Sequence, residues 1–316
     1  MATPSTNISV TAPVSQAIDR VKLLLFRPFD LGKWFTIGFC AWLAHLGEAG
    51  FNMNYRLGSR RGGSLRHEWD QAREYMMNNL YWILPLAVAV MFIGLACWVV
   101  FTWLSSRAKF MFLHCVALEK AEVGEPWHKF TREGNSLFVF RLVLGLIAIV
   151  PMLPLMAIAI VAVMRMVSRG GPDIRGILVL VGAGLMLVMV AMVFLVAAKL
   201  TTDFVVPIMF LRRTGCLAGW RELLGLISIN LTNFVLYLLF QVVLAMATGA
   251  FVLIAIIATC CIACCVIMIP YLGTVLLLPI LVFNRSYSLH YLVQYGPEYD
   301  VFTPVSVPTG TMLWLR

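Results

Sequence analysis

The chain has 316 residues, 61% hydrophobic and 12% charged, with 24 Lys and Arg against 15 Asp and Glu. Soluble domains carry about 25% charged residues, so a chain this long with half that fraction has too little charge to solvate a globular surface. This excludes a soluble enzyme and a disordered chain. It also makes the net charge of +9 a matter of loops facing lipid headgroups, not nucleic acid.

Residues 1–12 read as an extended polar tail. No cleavable signal peptide is expected, because residues 1–20 are polar and the first apolar stretch ends at Arg27-Pro28. The first candidate span, 31–51, is short. Lys33, His45 and Glu48 mark its ends, and Trp34, Phe35, Phe39, Trp42 and Phe51 suit interfacial belts. A flexible basic linker at 58–64 and a short amphipathic helix over 67–79 follow. Five runs, near 80–104, 137–164, 176–198, 233–256 and 262–283, supply the roughly 20 apolar residues that a crossing needs. The last two come from one stretch, 223–284, without Lys, Arg, Asp or Glu. It is too long to cross once, and its turn is expected near Thr259 in preference to Thr248-Gly249. The tail 291–316 reads as extended, with Pro304 and Pro308 barring helix and an apolar docking stretch at Met312 to Leu315.

The expected fold is therefore all-α. It is a polytopic membrane protein with about six transmembrane helices, arranged as three helical hairpins with interfacial helices. A single transmembrane domain, 13–290, lies between the two tails. Sixteen Lys and Arg fall on the side of the termini and eight on the other, which places both termini in the cytoplasm.

Three segments repeat at an offset of 93 residues: Leu25, Leu118 and Leu211; Arg27, Lys120 and Arg213; Trp34, Trp127 and Trp220. Repeats of 13–104, 105–198 and 199–290 follow, each with two spans, so that successive units keep one orientation. Arg27, Lys120 and Arg213 can reach phosphates, while Trp34, Trp127 and Trp220 sit at headgroup depth. The partners implied are anionic lipid headgroups on the cytoplasmic side, other membrane subunits, and no nucleic acid.

Chemistry-bearing motifs are few. The pairs Cys260-Cys261 and Cys264-Cys265 have i,i+4 spacing but no neighbouring His, Asp or Glu, so apolar packing accounts for them better than a metal. His45 and Glu48, one turn apart, with His67 across the next loop, form a loose polar set that fits no stringent zinc spacing. Lys199 and Asp203 read as an i,i+4 pair at the inner end of span four. Gln241, Asn230 and Asn233 read as interhelical hydrogen-bonding residues. No phosphate-binding glycine loop, HExxH or Gly-x-Ser-x-Gly occurs. No cofactor, metal or catalytic residue is expected.

The stretch Pro28 to Lys33 matches the Pro-x-(Asp/Glu)-x-x-(Lys/Arg) signature of mitochondrial carriers. It stands before the first span and is absent near Trp127 and Trp220, so that family is rejected. Residues 26–35, FRPFDLGKWF, followed by Gly38 to Leu43, instead resemble the start of an uncharacterised family of bacterial multi-pass membrane proteins. That family is similar in turn to the membrane domain of some glycerophosphodiester phosphodiesterases. The resemblance is specific over 13–50 and implies an inner-membrane protein with no transferable active site. The function expected is a non-enzymatic scaffold, anchor or accessory subunit of a membrane assembly. The alternatives are a transporter or lipid-handling protein and, behind it, a membrane enzyme using His45, Glu48 and His67.

Overall fold

The computed structural model describes residues 8–27, 29–46, 79–121, 123–168, 173–259, 266–267 and 269–302. The linker 58–64, most of the helix expected over 67–79, Glu48, His67, the cysteines at 260–265 and the tail beyond 302 lie outside these residues. Among the described residues the structure is helical, without strands. The chain divides into two compact units interleaved in sequence: residues 1–46, 104–138 and 200–316 form one, and 47–103 with 139–199 the other.

In the first unit, α1 (Ala12–Val21) starts with Pro13 in its first turn, where a missing N–H is harmless. It passes into a π-helical turn at Lys22–Phe26. Helix α2 (Leu31–His45) is capped by Asp30, whose carboxylate accepts from the Gly32 N–H at 2.8 Å. At 15 residues it rises about 22 Å, short of the roughly 30 Å hydrocarbon core.

Four elements among the described residues exceed that core, three of them of 38–39 residues and the fourth, Leu231–Ala258, of 28. Helix α3 (Leu80–Leu118) has 39 residues; after the short α4 (Gly124–Lys129), α5 (Thr131–Ser168) has 38. Helix α6 (Ile174–Leu200), a π-helical turn at Thr201–Val205 and α7 (Val206–Arg212) form one continuous 39-residue rod. Then come α8 (Cys216–Ile229), α9 (Leu231–Ala258), α10 (Pro270–Leu276), α11 (Leu278–Val293) and a 3-10 turn at Pro297–Tyr299.

Four helices, Tyr81–Leu118, Thr131–Met166, Ile174–Arg212 and Leu231–Ala258, are long and apolar enough to cross a membrane. Their apolar side chains face outward; Leu86 is 65% exposed, Met186 60% and Met246 71%. Bare apolar faces of that extent require a hydrocarbon solvent. The described residues thus hold four such helices against the six expected. The run at 31–51 is described to Leu46, with α2 covering Leu31–His45, and that at 262–283 is described mainly as α10 and the start of α11. Helix α9 runs through Thr248-Gly249 and ends at Ala258, with Thr259 at its cap. Helix α11 continues to Val293 and the 3-10 turn follows, where an extended tail was expected from 291.

The core of the first unit is aromatic. Tyr237, Tyr287, Tyr291, Phe110 and Phe204 are fully buried, and the Tyr237 ring lies 4.6 Å from Tyr291 and 4.9 Å from Phe204. Helix α1 lies along α11. The Ser9 N–H donates to Gln294 Oε1 (2.8 Å), Gln294 Nε2 donates back to the Ser9 carbonyl (3.0 Å), and the Tyr287 hydroxyl donates to the Val10 carbonyl (3.0 Å). Helix α2 packs on α10, where Tyr271 donates to the Phe35 carbonyl at 2.9 Å.

The α2–α10 contact depends on Gly38, since a Cβ there would stand 2.7 Å from Val275 Cγ2. Valine is stiff about χ1 and cannot swing aside. Gly38→Ala is therefore expected to cost about 1–2 kcal/mol, and G38A/V275A to recover most of it, read as detergent-phase melting temperatures. Equal melting of G38A and wild type would contradict the contact.

In the second unit, Gly145 admits the Trp98 ring, whose Cζ2 would lie 3.2 Å from an added Cβ. Gly176 admits Met166 in the same way, with Cγ at 2.7 Å.

Candidate functional site

The rod 174–212 is interrupted by the sequence Thr-Thr-Asp-Phe-Val, where the Val206 N–H bonds to the Thr201 carbonyl five residues back. Single π turns inside long helices often mark functional positions. This one carries Asp203, 4% exposed, and gathers Lys109 of α3, 5% exposed, and Arg285 of α11, 7% exposed. Lys109 Nζ donates to Thr202 Oγ1 at 2.6 Å, and Arg285 Nη1 donates to the Thr202 carbonyl. The buried Tyr237 hydroxyl donates to Asp203 Oδ2 at 2.9 Å, and Gln241 Nε2 donates to that hydroxyl at 2.8 Å. Helices α3, α9 and α11 and the π turn therefore meet on one polar network of two cations and one carboxylate.

Depth along the helices explains how such charge is tolerated. Lys109 is the thirtieth residue of α3 and Asp203 the thirtieth of the rod that starts at Ile174. A crossing uses about 20 residues, so both charges fall past the hydrocarbon-length part of their helices. Chemically, the network can hold a carboxylate by phenol and cation, or fasten four elements together.

Of the polar residues expected from sequence, Asp203 is at the centre of this network. Lys199 is half-buried in the last turn of α6, and His45 is half-buried at the end of α2. Lys109 stands beyond the apolar run 80–104, yet α3 continues through it to Leu118. Arg285 stands just past the apolar run 262–283, within α11. Tyr237 carried no sequence signal. Gln241, expected to bond between helices, bonds to Tyr237 within its own helix and through it reaches Asp203.

The expected headgroup set divides by exposure. Arg27 and Lys120 are exposed, while Trp34, Trp127 and Trp220 are half-buried. Trp34 Nε1 donates to the Leu25 carbonyl at 2.7 Å, which joins two columns of the 93-residue pattern. Trp127 lies 5.2 Å from the Arg107 guanidinium. Arg213, at φ 54°, places its guanidinium 4.0 Å over Phe130, donates to the Lys129 carbonyl at 3.1 Å and lies 3.5 Å from Glu133. Among the described residues no group of three or more His, Cys, Asp or Glu could hold a metal ion.

A second cluster joins α1, α11 and the C-terminal end of α3. Arg20 donates to the Val116 and Ala117 carbonyls, pairs with Glu119 and lies 4.7 Å over the Phe302 ring. His290 stacks on Phe302 at 4.4 Å. Burial, with Arg20 nearby, pushes the His290 imidazole down to about 4, against a smaller upward pull from Asp300. The unfolded chain then binds a proton near pH 6.5 that the folded chain refuses until about pH 4. Stability contributed by neutral His290 is present above pH 6.5 and falls as the pH drops toward 4. Melting profiles between pH 7.5 and 4.5 should show this loss, and His290→Gln should flatten it; an unchanged slope in that variant would contradict the assignment.

Compared with known proteins, the chain matches no curated protein and no solved structure. A family model described as "Family of unknown function (DUF7544)" matches residues 8–278. That match takes in the four long apolar helices, the π turn and all of the buried network except Arg285. The chain belongs to this family of unknown function, DUF7544.

Proposed function

We propose that the protein is a non-enzymatic integral membrane scaffold or anchor, an accessory subunit of a membrane assembly. The observation that carries this reading is where its charges go. Lys109, Asp203 and Arg285 are buried and hydrogen-bonded to Thr202 and Tyr237, so they serve as internal fasteners of a folded body beyond the hydrocarbon-length part of the helices. The absence of catalytic motifs from the sequence points the same way.

The finer architecture belongs to the same proposal. Segments 31–51 and 262–283 complete six spans in three parallel hairpins. Ile37, Phe130 and Leu223, which also stand 93 residues apart, are all buried and support that repeat. The basic bias of the loops favours both termini on the cytoplasmic side, and the resemblance of residues 13–50 to bacterial multi-pass proteins implies a bacterial inner membrane. The partners are anionic lipid headgroups and other membrane subunits.

Purification of the tagged chain in mild detergent is expected to recover one or a few proteins in fixed stoichiometry across independent preparations. Recovery of the chain as a lone monomer would contradict the scaffold reading.

The buried charges at a π turn also favour a second reading, a transporter or lipid-handling protein. Asp203→Asn separates the two. A scaffold that retains its fold keeps its partners, whereas a transporter loses its cellular function with the partners still bound.

A further inference from the structure

We propose that a groove between the end of α5 and the start of α6 binds one anionic phospholipid. The cavity, about 530 Å3, lies wholly within the second unit, and its size suits a small-molecule site, typically ~300–1,000 Å3. Ala162, 7% exposed, forms its floor, and the exposed Val161 and Val179 form its apolar rim. The two helices are held close at one point, where Gly176 admits the Met166 side chain, and the groove runs beside that contact.

Among the described residues its charged lining is Arg165, Asp173 and Arg175. Two guanidiniums against one carboxylate leave one net positive charge. The sequence fixes their level: 142–164 and 176–198 contain no Lys, Arg, Asp or Glu, so Arg165 and Arg175 stand where two hydrocarbon-length runs stop. That is headgroup depth, where an arginine fork matches a phosphate. An apolar floor continuing from a cationic mouth fits an amphiphile with an acyl chain and an anionic head. A soluble anion would make no use of the Ala162 and Val161 surface. An apolar helix of a partner would make no use of the arginines.

Native mass spectrometry of the full-length chain, released from mild detergent with equimolar phosphatidylglycerol and phosphatidylcholine of matched chains, tests this. The wild type should carry one phosphatidylglycerol at a preference of at least about fivefold, and R165Q/R175Q should lose about fivefold per charge removed. R165K/R175K should keep most of the preference. Ala162→Phe, which fills the floor and leaves the charges, should weaken both lipid adducts, and millimolar inorganic phosphate should displace neither. Equal adducts in the wild type, or an unchanged preference in R165Q/R175Q, would overturn the proposal. So would displacement by phosphate together with full binding by A162F. If R165Q/R175Q fails to fold, A162F and the lysine pair still decide the question. The scaffold reading is untouched by either result, since its test is the recovery of proteins.

Discussion

Asp203→Ala is expected to lower stability by about 3–5 kcal/mol, the range seen when one member of a buried charged network is removed. The carboxylate is 4% exposed, and its loss leaves Lys109 and Arg285 buried with less negative charge beside them. It also removes the acceptor of the Tyr237 hydroxyl, which is itself fully buried. Tyr237→Phe should cost less, about 1–3 kcal/mol, because it strands a carboxylate oxygen and one amide donor without unbalancing charge. The double variant should fall short of the sum of the singles by on the order of 1 kcal/mol, since each single already breaks the shared hydrogen bond. Unfolding of the detergent-solubilised chain by SDS titration gives all three values. Strict additivity would show that the two side chains do not act through one bond.

The second large effect is expected at Arg20. Its guanidinium donates to Val116 and Ala117 carbonyls at the end of α3, pairs with Glu119 and covers Phe302. Helix α3 ends there as Glu119 turns to φ 60°, and two of its terminal carbonyls, which have no partner further along the helix, accept from Arg20. Arg20→Ala should cost about 2–4 kcal/mol, given roughly 1.5–3 for one charged hydrogen bond and incomplete additivity. Arg20→Lys should recover less than half, because an ammonium cannot span two carbonyls as a planar fork does. Glu119→Gln should cost below about 1 kcal/mol, because Glu119 is more than a third exposed and the pair is screened. Amide exchange gives an independent readout. In R20A, protection should fall over residues 113–118 and remain over 85–95; uniform loss along α3 would contradict a local capping role.

The spans at 80–104, 137–164 and 176–198 were legible because one physical variable, uninterrupted apolar length, decides them. What that variable could not show is how far the helices continue. Arg107 and Lys109 look like loop residues when charge is taken to end a span, yet α3 runs through both to Leu118, with Lys109 buried and bonded to Thr202. Asp203 was legible as a charge next to an apolar run. The rest of its network was not, because Tyr237, which bonds to it, lies 34 residues away and Arg285, which bonds to the adjacent Thr202 carbonyl, lies 83 from Thr202, and both arrive only through the packing of α9 and α11. The π turn itself leaves no trace in local composition. Trp34 shows the same limit: its spacing marks it as a recurring residue, and the bond of its indole N–H to the Leu25 carbonyl is seen only in the folded chain. Spacing reports which residues recur, and only the folded chain reports what they touch.

The four long helices of the described residues are expected to face hydrocarbon, and the charged body they build is expected to lie outside it. Spin labels placed singly at Leu86, Met186, Met246 and Glu125 in proteoliposomes test it most directly, because oxygen partitions into lipid and a neutral nickel chelate into water. The first three positions, on outward-facing apolar surfaces, should collide with oxygen and be shielded from nickel; Glu125, exposed in α4, should show the reverse. Nickel collisions at Met186 as frequent as those at Glu125 would contradict the account.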